Sequence, residues 1–475
     1  MKKFIAVDLG ASNGRVIVGD LYNIEVVARF KSRPVRIRKT VYWDFLGLMA
    51  DIREGLRAAF EKYGDEIVSI GFDTWGVDYA LLDANGDLLS NPFHYRDNRT
   101  DGMMEEFFKI IPKEDVYNET GIQFMQINTL FQIFAHNRIS PETVKAARHF
   151  LTVPDLLNYW LTGVMKNEFS EATTTQLYNP VKGCWSEKLI KAAGFDPKIF
   201  GDIVLPGTVI GKLLPEEVKS LGAGPDVVVT AAACHDTASA VAAVPAAGGN
   251  FAYLSSGTWS LLGIELDKPV INDLSYKYNF TNEGGREGSI TYLKNIMGLW
   301  IIQECKAHWD KTGEEYDWPE IVSMAEEAGD RGFSMDPDDT RFLKSNLTSI
   351  GMPLRIQEYC REEGLPVPET IGEIAACVFR SLAEKYAVTV GQLEESAGVE
   401  IESLYIIGGG CQNELLCRWT AEAVKVPVFA GPVEATAIGN ILIQAISAGE
   451  VASYEEGRKL IAANFEIKRI DYKEG

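Results

Sequence analysis

The sequence predicts an α/β protein of two domains, and three observations carry that prediction. The chain has 475 residues, too many for one ordinary core. Short β-branched runs alternate along it with helical stretches. A pattern of strand, Gly turn and strand near the N-terminus returns almost half a chain later. Hydrophobic residues make up 46% and charged residues 24% of the chain, which is a globular balance and not that of a disordered or fibrous one.

The elements follow in order. Residues 4–8 form a short apolar run, 10–14 a Gly-bounded turn and 15–19 a β-branched run, which together read as a hairpin with a tight loop. Residues 43–63 carry helical periodicity, with Phe45, Met49, Ile52, Leu56, Ala59 and Phe60 on one stripe and Gly64 placed to cap the end. Residues 69–72 and 77–82 read as a strand pair, followed by an Asn85-Gly86 turn. Residues 226–230 are a buried strand. Residues 251–255, 256–258 and 259–266 repeat strand, turn and strand. The strand at 405–407 runs straight into Gly408-Gly409-Gly410, and helices are expected at 369–395, 413–424 and 435–448. The boundary is expected within 245–250, where Ala and Gly are dense, giving domains 1–245 and 246–475.

The net charge of -21 argues against a nucleic-acid partner. It also means that an anionic ligand must be held locally, by backbone amides, a placed Arg or a metal ion. No apolar run approaches the roughly 20 residues of a membrane helix. Asp8 cuts the N-terminal apolar run too short for a signal peptide, so a cytoplasmic protein without a membrane partner is expected. The 7 cysteines include no CxxC pair and the 5 histidines are too few for a multi-His site, so reduced core thiols are expected.

Several segments carry chemistry. In Asp8-Leu9-Gly10-Ala11-Ser12-Asn13-Gly14-Arg15 the glycines let backbone N–H groups approach an anion, Arg15 adds a fork of donors, and Asp8 stands at the strand end beside them, where it can hold Mg²⁺. The segment reads equally as an ordinary hairpin turn. Ser255-Ser256-Gly257-Thr258 has the same design and the same alternative. Gly408-Gly409-Gly410 lets a flat group lie against backbone, or is simply a strand-to-helix turn. In 231–240 an Asp among small residues follows a buried strand. Asp236 there suits the role of proton acceptor from a hydroxyl, with His235 beside it, and it suits equally the start of a helix with Asp236 or Thr237 as N-cap. Asp73-Thr74-Trp75-Gly76-Val77-Asp78-Tyr79 mixes aromatic and polar groups as sugar sites do, although Trp75 also reads as core. Asn295 and Gln303 are expected on a helix, facing either a ligand or water.

The segments 6–15, 73–83, 95–100, 121–130, 172–179, 235–241, 253–261, 282–285, 293–300, 408–413 and 430–440 resemble the FGGY carbohydrate kinases, over nearly the whole chain. The resemblance implies two actin-like (ribonuclease H-like) domains with mixed central sheets flanking a catalytic cleft. It implies MgATP as phosphoryl donor. Ala11, Ser12, Asn13, Gly14 and Arg15 would meet the ATP phosphates, with Asp8 beside the metal. Thr258, Gln303 and Gly409 would contact ATP. Gly76, His235, Asp236, Thr237 and Asn295 would contact the sugar, Trp75 is a further candidate, and Asp236 would be the catalytic base. The family's usual Lys and Trp are absent around Asn128-Thr129-Leu130-Phe131-Gln132, and Asn413 stands where many members have Ser. Both features look like the branch that acts on L-rhamnulose. Asn13 stands where a hydroxyl residue is commoner. Monomer and homodimer both remain open.

Overall fold

The computed structural model describes residues 2–246, 248–343 and 350–472. It divides into two compact units. The first comprises Met1–Ala247, Glu265–Tyr292 and Ala435–Phe465; the second comprises Gly248–Ile264, Leu293–Glu434 and Glu466–Gly475. Ala247, inside the expected boundary at 245–250, lies outside the described residues.

The first unit is built on a six-stranded mixed sheet. Its strands are β1 (Lys3–Leu9), β2 (Asn13–Gly19), β3 (Ile24–Lys31), β4 (Ile67–Thr74), β5 (Val209–Lys212) and β6 (Val228–Thr230), in the order β5-β6-β4-β1-β2-β3. β1 and β2 are the expected antiparallel hairpin, and β4 runs parallel to β1. The sheet is covered on one side by helix α1 (Phe45–Tyr63), whose stripe of Phe45, Ile52, Leu56, Ala59 and Phe60 joins Val7, Val16 and Val18 in one core. Asp44 caps its start through the Gly47 N–H, and Gly64 ends it with its N–H on the Phe60 carbonyl. Gly55 lets the helix lie close, because a Cβ there would stand 2.6 Å from Val16 Cγ2.

Three further helices matter to the site: α2 (Phe169–Thr174), α3 (Asp236–Ala242) and α4 (Ala435–Ser447). α4 lies on β1 and β4. Gln444 Nε2 donates to the Ile5 carbonyl at 2.9 Å, and Asn440 Nδ2 donates to Asp73 at 2.6 Å. α3 crosses α4 at Gly439, where a Cβ would stand 1.8 Å from the Ser239 carbonyl oxygen.

The second unit repeats the plan. β7 (Phe251–Ser256) and β8 (Trp259–Leu266) form an antiparallel hairpin beside β9 (Ile290–Met297), with β10 (Ser403–Ile407), β11 (Val428–Ala430) and β12 (Lys468–Ile470) on the other side of β7. From β12 to β8 the pairings run antiparallel, parallel, parallel, antiparallel. From β5 to β2 they run the same way. The echo of two short hairpins thus extends over five strands of each sheet.

Three expectations need correction. Asn295 is on β9 and not on a helix, because residues 290–297 extend a sheet whose inter-strand bonding overrides their local helical reading. Residues 69–72 and 77–82 do not pair with each other. The first lie within β4, while Tyr79–Leu82 pairs with His149–Thr152, because the chain leaves the sheet between them. Trp43 ends the short strand Thr40–Trp43, so helix α1 begins two residues later than expected. The cysteines are all free, and only Cys184 is exposed.

Candidate active site

In the first unit the site grows from the C-terminal ends of β1 and β4. Register places Asp8 opposite Arg15 on β2 and opposite Asp73 on β4. Arg15 is ion-paired to Asp8 through Nη2 and Oδ2. The turn between β1 and β2 is closed by the Gly10 N–H on the Asn13 carbonyl at 2.9 Å and tied to Ser32, whose Oγ donates to the Gly10 carbonyl at 2.8 Å. Ser12 and Asn13 are exposed, and Ala11 is half-buried. Gly14 admits the Phe30 ring, which a Cβ would strike at 2.2 Å.

The second group arrives on the segment after β6. The Cys234 carbonyl accepts from the Thr74 N–H at 2.7 Å, so the segment is tied to the end of β4. The Cys234 N–H donates to Glu168 Oε2 at 3.2 Å and the His235 N–H to Ser170 Oγ at 3.0 Å, which ties it also to the start of α2. α3 then begins at Asp236, with His235 as N-cap. Thr237 Oγ1 donates to Asp236 Oδ1 at 3.1 Å, and His235 Nε2 lies 3.5 Å from the same oxygen. The other ring nitrogen, Nδ1, lies 3.2 Å from Glu283 Oε2.

The electrostatics follow from this crowding. Asp8 and Asp73 are 6% and 0% exposed. Burial raises Asp8 above the ordinary carboxylate range, Arg15 opposes it, and the Asp236 charge adds to it. Burial likewise holds Asp73 well above that range, together with the charge of Asp8. Asp236 keeps 35% of its side-chain surface open, yet the protein around it still raises its carboxyl by desolvation, with the His235 charge and the Thr237 hydrogen bonds opposing. Burial pulls the His235 imidazole down, but the hydrogen bond and charge of Glu283, together with the charges of Asp236 and Glu168, outweigh it and the net shift is upward.

Mg²⁺ suits this donor set. Asp73 Oδ1 is buried without a hydrogen-bond partner among the described residues, and the mutual repulsion of Asp8 and Asp73 favours a cation near them. Among the described residues no three or more His, Cys, Asp or Glu side chains are arranged to enclose an ion. A metal that keeps waters and phosphate oxygens as ligands and takes one or two carboxylates fits this arrangement.

Gly76 follows β4 in a turn held from outside. Val77 takes a φ of 70°, which is strained for a β-branched residue. Its N–H donates to Thr174 Oγ1 at 3.2 Å, and its carbonyl accepts from Thr129 Oγ1 at 2.6 Å and Gln132 Nε2 at 3.1 Å. Trp75 is 6% exposed, packed at a tilt against Trp43 with ring centroids 4.3 Å apart, with its indole N–H on Asp78. The structure therefore places Trp75 in an aromatic core beside the site.

In the second unit the expected residues gather at the turn between β7 and β8. Thr258 lies in that turn, whose carbonyls at Gly257 and Thr258 accept from the Leu299 and Trp300 N–H groups at 3.0 and 3.1 Å. Those two bonds fix the start of helix Trp300–Thr312, which carries Gln303. Gly408 has a φ of 80°, and a Cβ on Gly410 would stand 2.0 Å from Ser256 Oγ. The exposed Gly409 is thereby brought beside the same turn. Asn295 is half-buried on β9, three residues before Gly298, which packs on Ser260.

Sequence reasoning passed over Asp73, Glu168 and Glu283 as individual residues. Asp73 and Glu283 lie inside segments that resemble the carbohydrate kinases, while a buried acid such as Glu168 has no local signature.

The comparisons with known proteins agree with this plan. Residues 3–243 match the N-terminal domain of the FGGY family of carbohydrate kinases, and residues 252–448 match its C-terminal domain. The chain is 43% identical over 472 residues to a rhamnulokinase of Halalkalibacterium halodurans, covering 99% of this chain and 98% of that protein. It is 44% identical over 471 residues to a rhamnulokinase of Bacteroides thetaiotaomicron, covering 98% and 95%. Among solved structures, a xylulose kinase of Lactobacillus acidophilus superposes with a TM-score of 0.81 at 15% identity, covering 100% of this chain and 94% of that one. A Plasmodium falciparum glycerol kinase with ADP gives 0.79 at 15%, with the same coverage. These likenesses show that the actin-like (ribonuclease H-like) two-domain α/β fold is shared.

Proposed function

The chain belongs to the FGGY family of carbohydrate kinases, and from that membership we propose that it phosphorylates L-rhamnulose at the 1-hydroxyl, converting ATP to ADP. The carrying observation is identity above 40% along almost the full chain to proteins named rhamnulokinase.

The residue roles are part of the proposal. L-Rhamnulose lies against Gly76, Asn295 and the segment His235, Asp236 and Thr237, with Trp75 behind Gly76. Asp236 accepts the proton of the 1-hydroxyl as that oxygen meets the γ-phosphoryl group in line. Phosphoryl transfer asks mainly for positioning and charge stabilisation, so a carboxylate ionised near neutral pH suffices as base. The turn amides at Ala11, Ser12, Asn13 and Gly14, with Arg15, balance charge on the phosphates. Thr258, Gln303 and Gly409 bind the rest of ATP. Asp8 holds Mg²⁺, directly or through water. Mg²⁺, when bound, neutralises charge on the phosphate oxygens.

The matches at 3–243 and 252–448 support a division into domains 1–245 and 246–475. Among the described residues no helix is long and apolar enough to cross a membrane. We place the enzyme in the cytoplasm, as monomer or homodimer, without a nucleic-acid or membrane partner.

³¹P NMR of the product tests the reaction. A phosphate resonance split by the C1 methylene protons of the ketose supports the proposal. Phosphate on another hydroxyl, or inorganic phosphate alone, contradicts it.

A further inference from the structure

Two buried polar atoms lack a well-directed hydrogen bond to any described residue, His235 Nδ1 and Glu283 Oε2, and they face each other at 3.2 Å. His235 is 8% and Glu283 5% exposed. The ring's opposite nitrogen, Nε2, lies 3.5 Å from Asp236 Oδ1. An imidazole with a carboxylate at each nitrogen is best satisfied as a cation, since a bare buried carboxylate is costly.

Both partners are referenced to one short element. Ser170 on α2 receives the His235 N–H. Thr173, also on α2, receives the Gly284 N–H at 2.7 Å. Gly284 permits this approach, because a Cβ there would stand 2.7 Å from the Phe169 ring and 2.9 Å from Ser170 Cα. The strand Thr281–Gly284 and the segment before α3 are therefore held in register by α2.

We propose that Glu283 is a positioning residue for phosphoryl transfer: it fixes His235 as an imidazolium against Oδ1 of Asp236, leaving Oδ2 to take the hydroxyl proton. Thr237 Oγ1 also donates to Oδ1, so both side-chain contacts fall on one oxygen. The 1-hydroxyl proton passes to Oδ2 as its oxygen bonds phosphorus and the bond from phosphorus to ADP breaks, while His235 keeps its proton throughout. This rests on the kinase reading above and adds a residue to it.

The charges around the ring are Glu283, Asp236 and Glu168, from three different elements. Those of like sign facing Asp236 are Asp8, Asp73, Glu171 and Glu283. His235 is the first of the influences that lower Asp236, ahead of the direct and opposite effect of Glu283. Neutralising Glu283 removes the two largest influences that raise the imidazole, so its neutral form gains against the cation. Asp236 then loses its cation and its carboxyl rises, so activity that needs the carboxylate begins at higher pH.

The test pairs kinetics with NMR on the full chain. With MgATP and L-rhamnulose, Glu283→Gln should lower kcat by about tenfold or more. It should also move the acid limb of kcat/KM for the sugar to higher pH and leave KM for ATP little changed. Glu283→Asp should restore most of the rate. Independently of turnover, the ¹³C-labelled His235 resonance, assigned by its loss in His235→Asn, should titrate above an ordinary histidine in the wild type and below it in Glu283→Gln. A Glu283→Gln enzyme with wild-type kcat and acid limb overturns the proposal. So does a His235 ring that is neutral at pH 6 in the wild type, a result that needs no variant to fold. A wild type that turns over no ketose would defeat the kinase reading instead, and the NMR comparison would still decide the dyad.

Discussion

Asp236 opens α3, and its only hydrogen bond from a neighbouring side chain falls on Oδ1 among the described residues. A proton acceptor needs the other oxygen free and ionised. Asp236→Asn should therefore keep the affinity for the sugar and lose at least about a hundredfold in kcat; a variant with wild-type turnover would remove Asp236 from the mechanism. Asp78 gives a second prediction at this scale. It accepts from the indoles of Trp43 at 2.6 Å and Trp75 at 3.0 Å, and from Gln132 at 3.0 Å. Burial raises its carboxyl to about 6, with the Trp43, Gln132 and Trp75 hydrogen bonds opposing. Between the ordinary carboxylate range and about 6 the folded state holds a proton that the unfolded chain has released. This group's contribution to stability therefore grows as pH falls through that window. Tryptophan fluorescence should titrate near 6, and Asp78→Asn should abolish that step. A step that survives the substitution would assign it elsewhere. Residues of this kind show where sequence reading ends: Asp73 and Glu283 are buried acids that meet Asn440 and His235, far away along the chain, so their own neighbourhoods do not announce those contacts.

At the scale of elements, glycines carry much of the geometry. Gly439 lets α4 cross α3 so closely that a methyl group would overlap the Ser239 carbonyl. That carbonyl is backbone, so the helices must part to relieve the clash. Gly439→Ala should lower unfolding free energy by about 1–3 kcal/mol in denaturant titration, and should reduce turnover by displacing the helix that starts at Asp236. Unchanged stability would mean that the crossing is looser than it stands here. The turns at Gly10–Gly14 and Ser256–Thr258 were legible in the sequence because glycines between β-branched runs define a hairpin locally. Asn295 was misread because its strand is specified by neighbouring strands and not by its own pattern. Residues 69–82 were misread because Val77, a residue disfavoured at positive φ, is forced there by Thr129, Gln132 and Thr174. Thr129 and Gln132 lie in the segment 128–132, so that segment holds the turn after Gly76.

At the scale of the whole molecule, the shared strand order explains why a glycine turn follows the first strand of the hairpin in both halves: each unit turns its hairpin at the same place in the sheet. The α/β class and the duplication were legible because a strand, turn and strand pattern recurs intact. The makeup of each unit was not, since Glu265–Tyr292 and Ala435–Phe465 return to the first unit by contacts that no local pattern encodes. The sugar specificity likewise belongs to the molecule as a whole, because it is inferred from near full-length identity and from no single contact. The most direct test of the account is ADP release with MgATP and L-rhamnulose, compared with L-fuculose, L-xylulose, D-xylulose and no sugar. Strong preference for L-rhamnulose is the predicted result. ADP release that is indifferent to every sugar would contradict it.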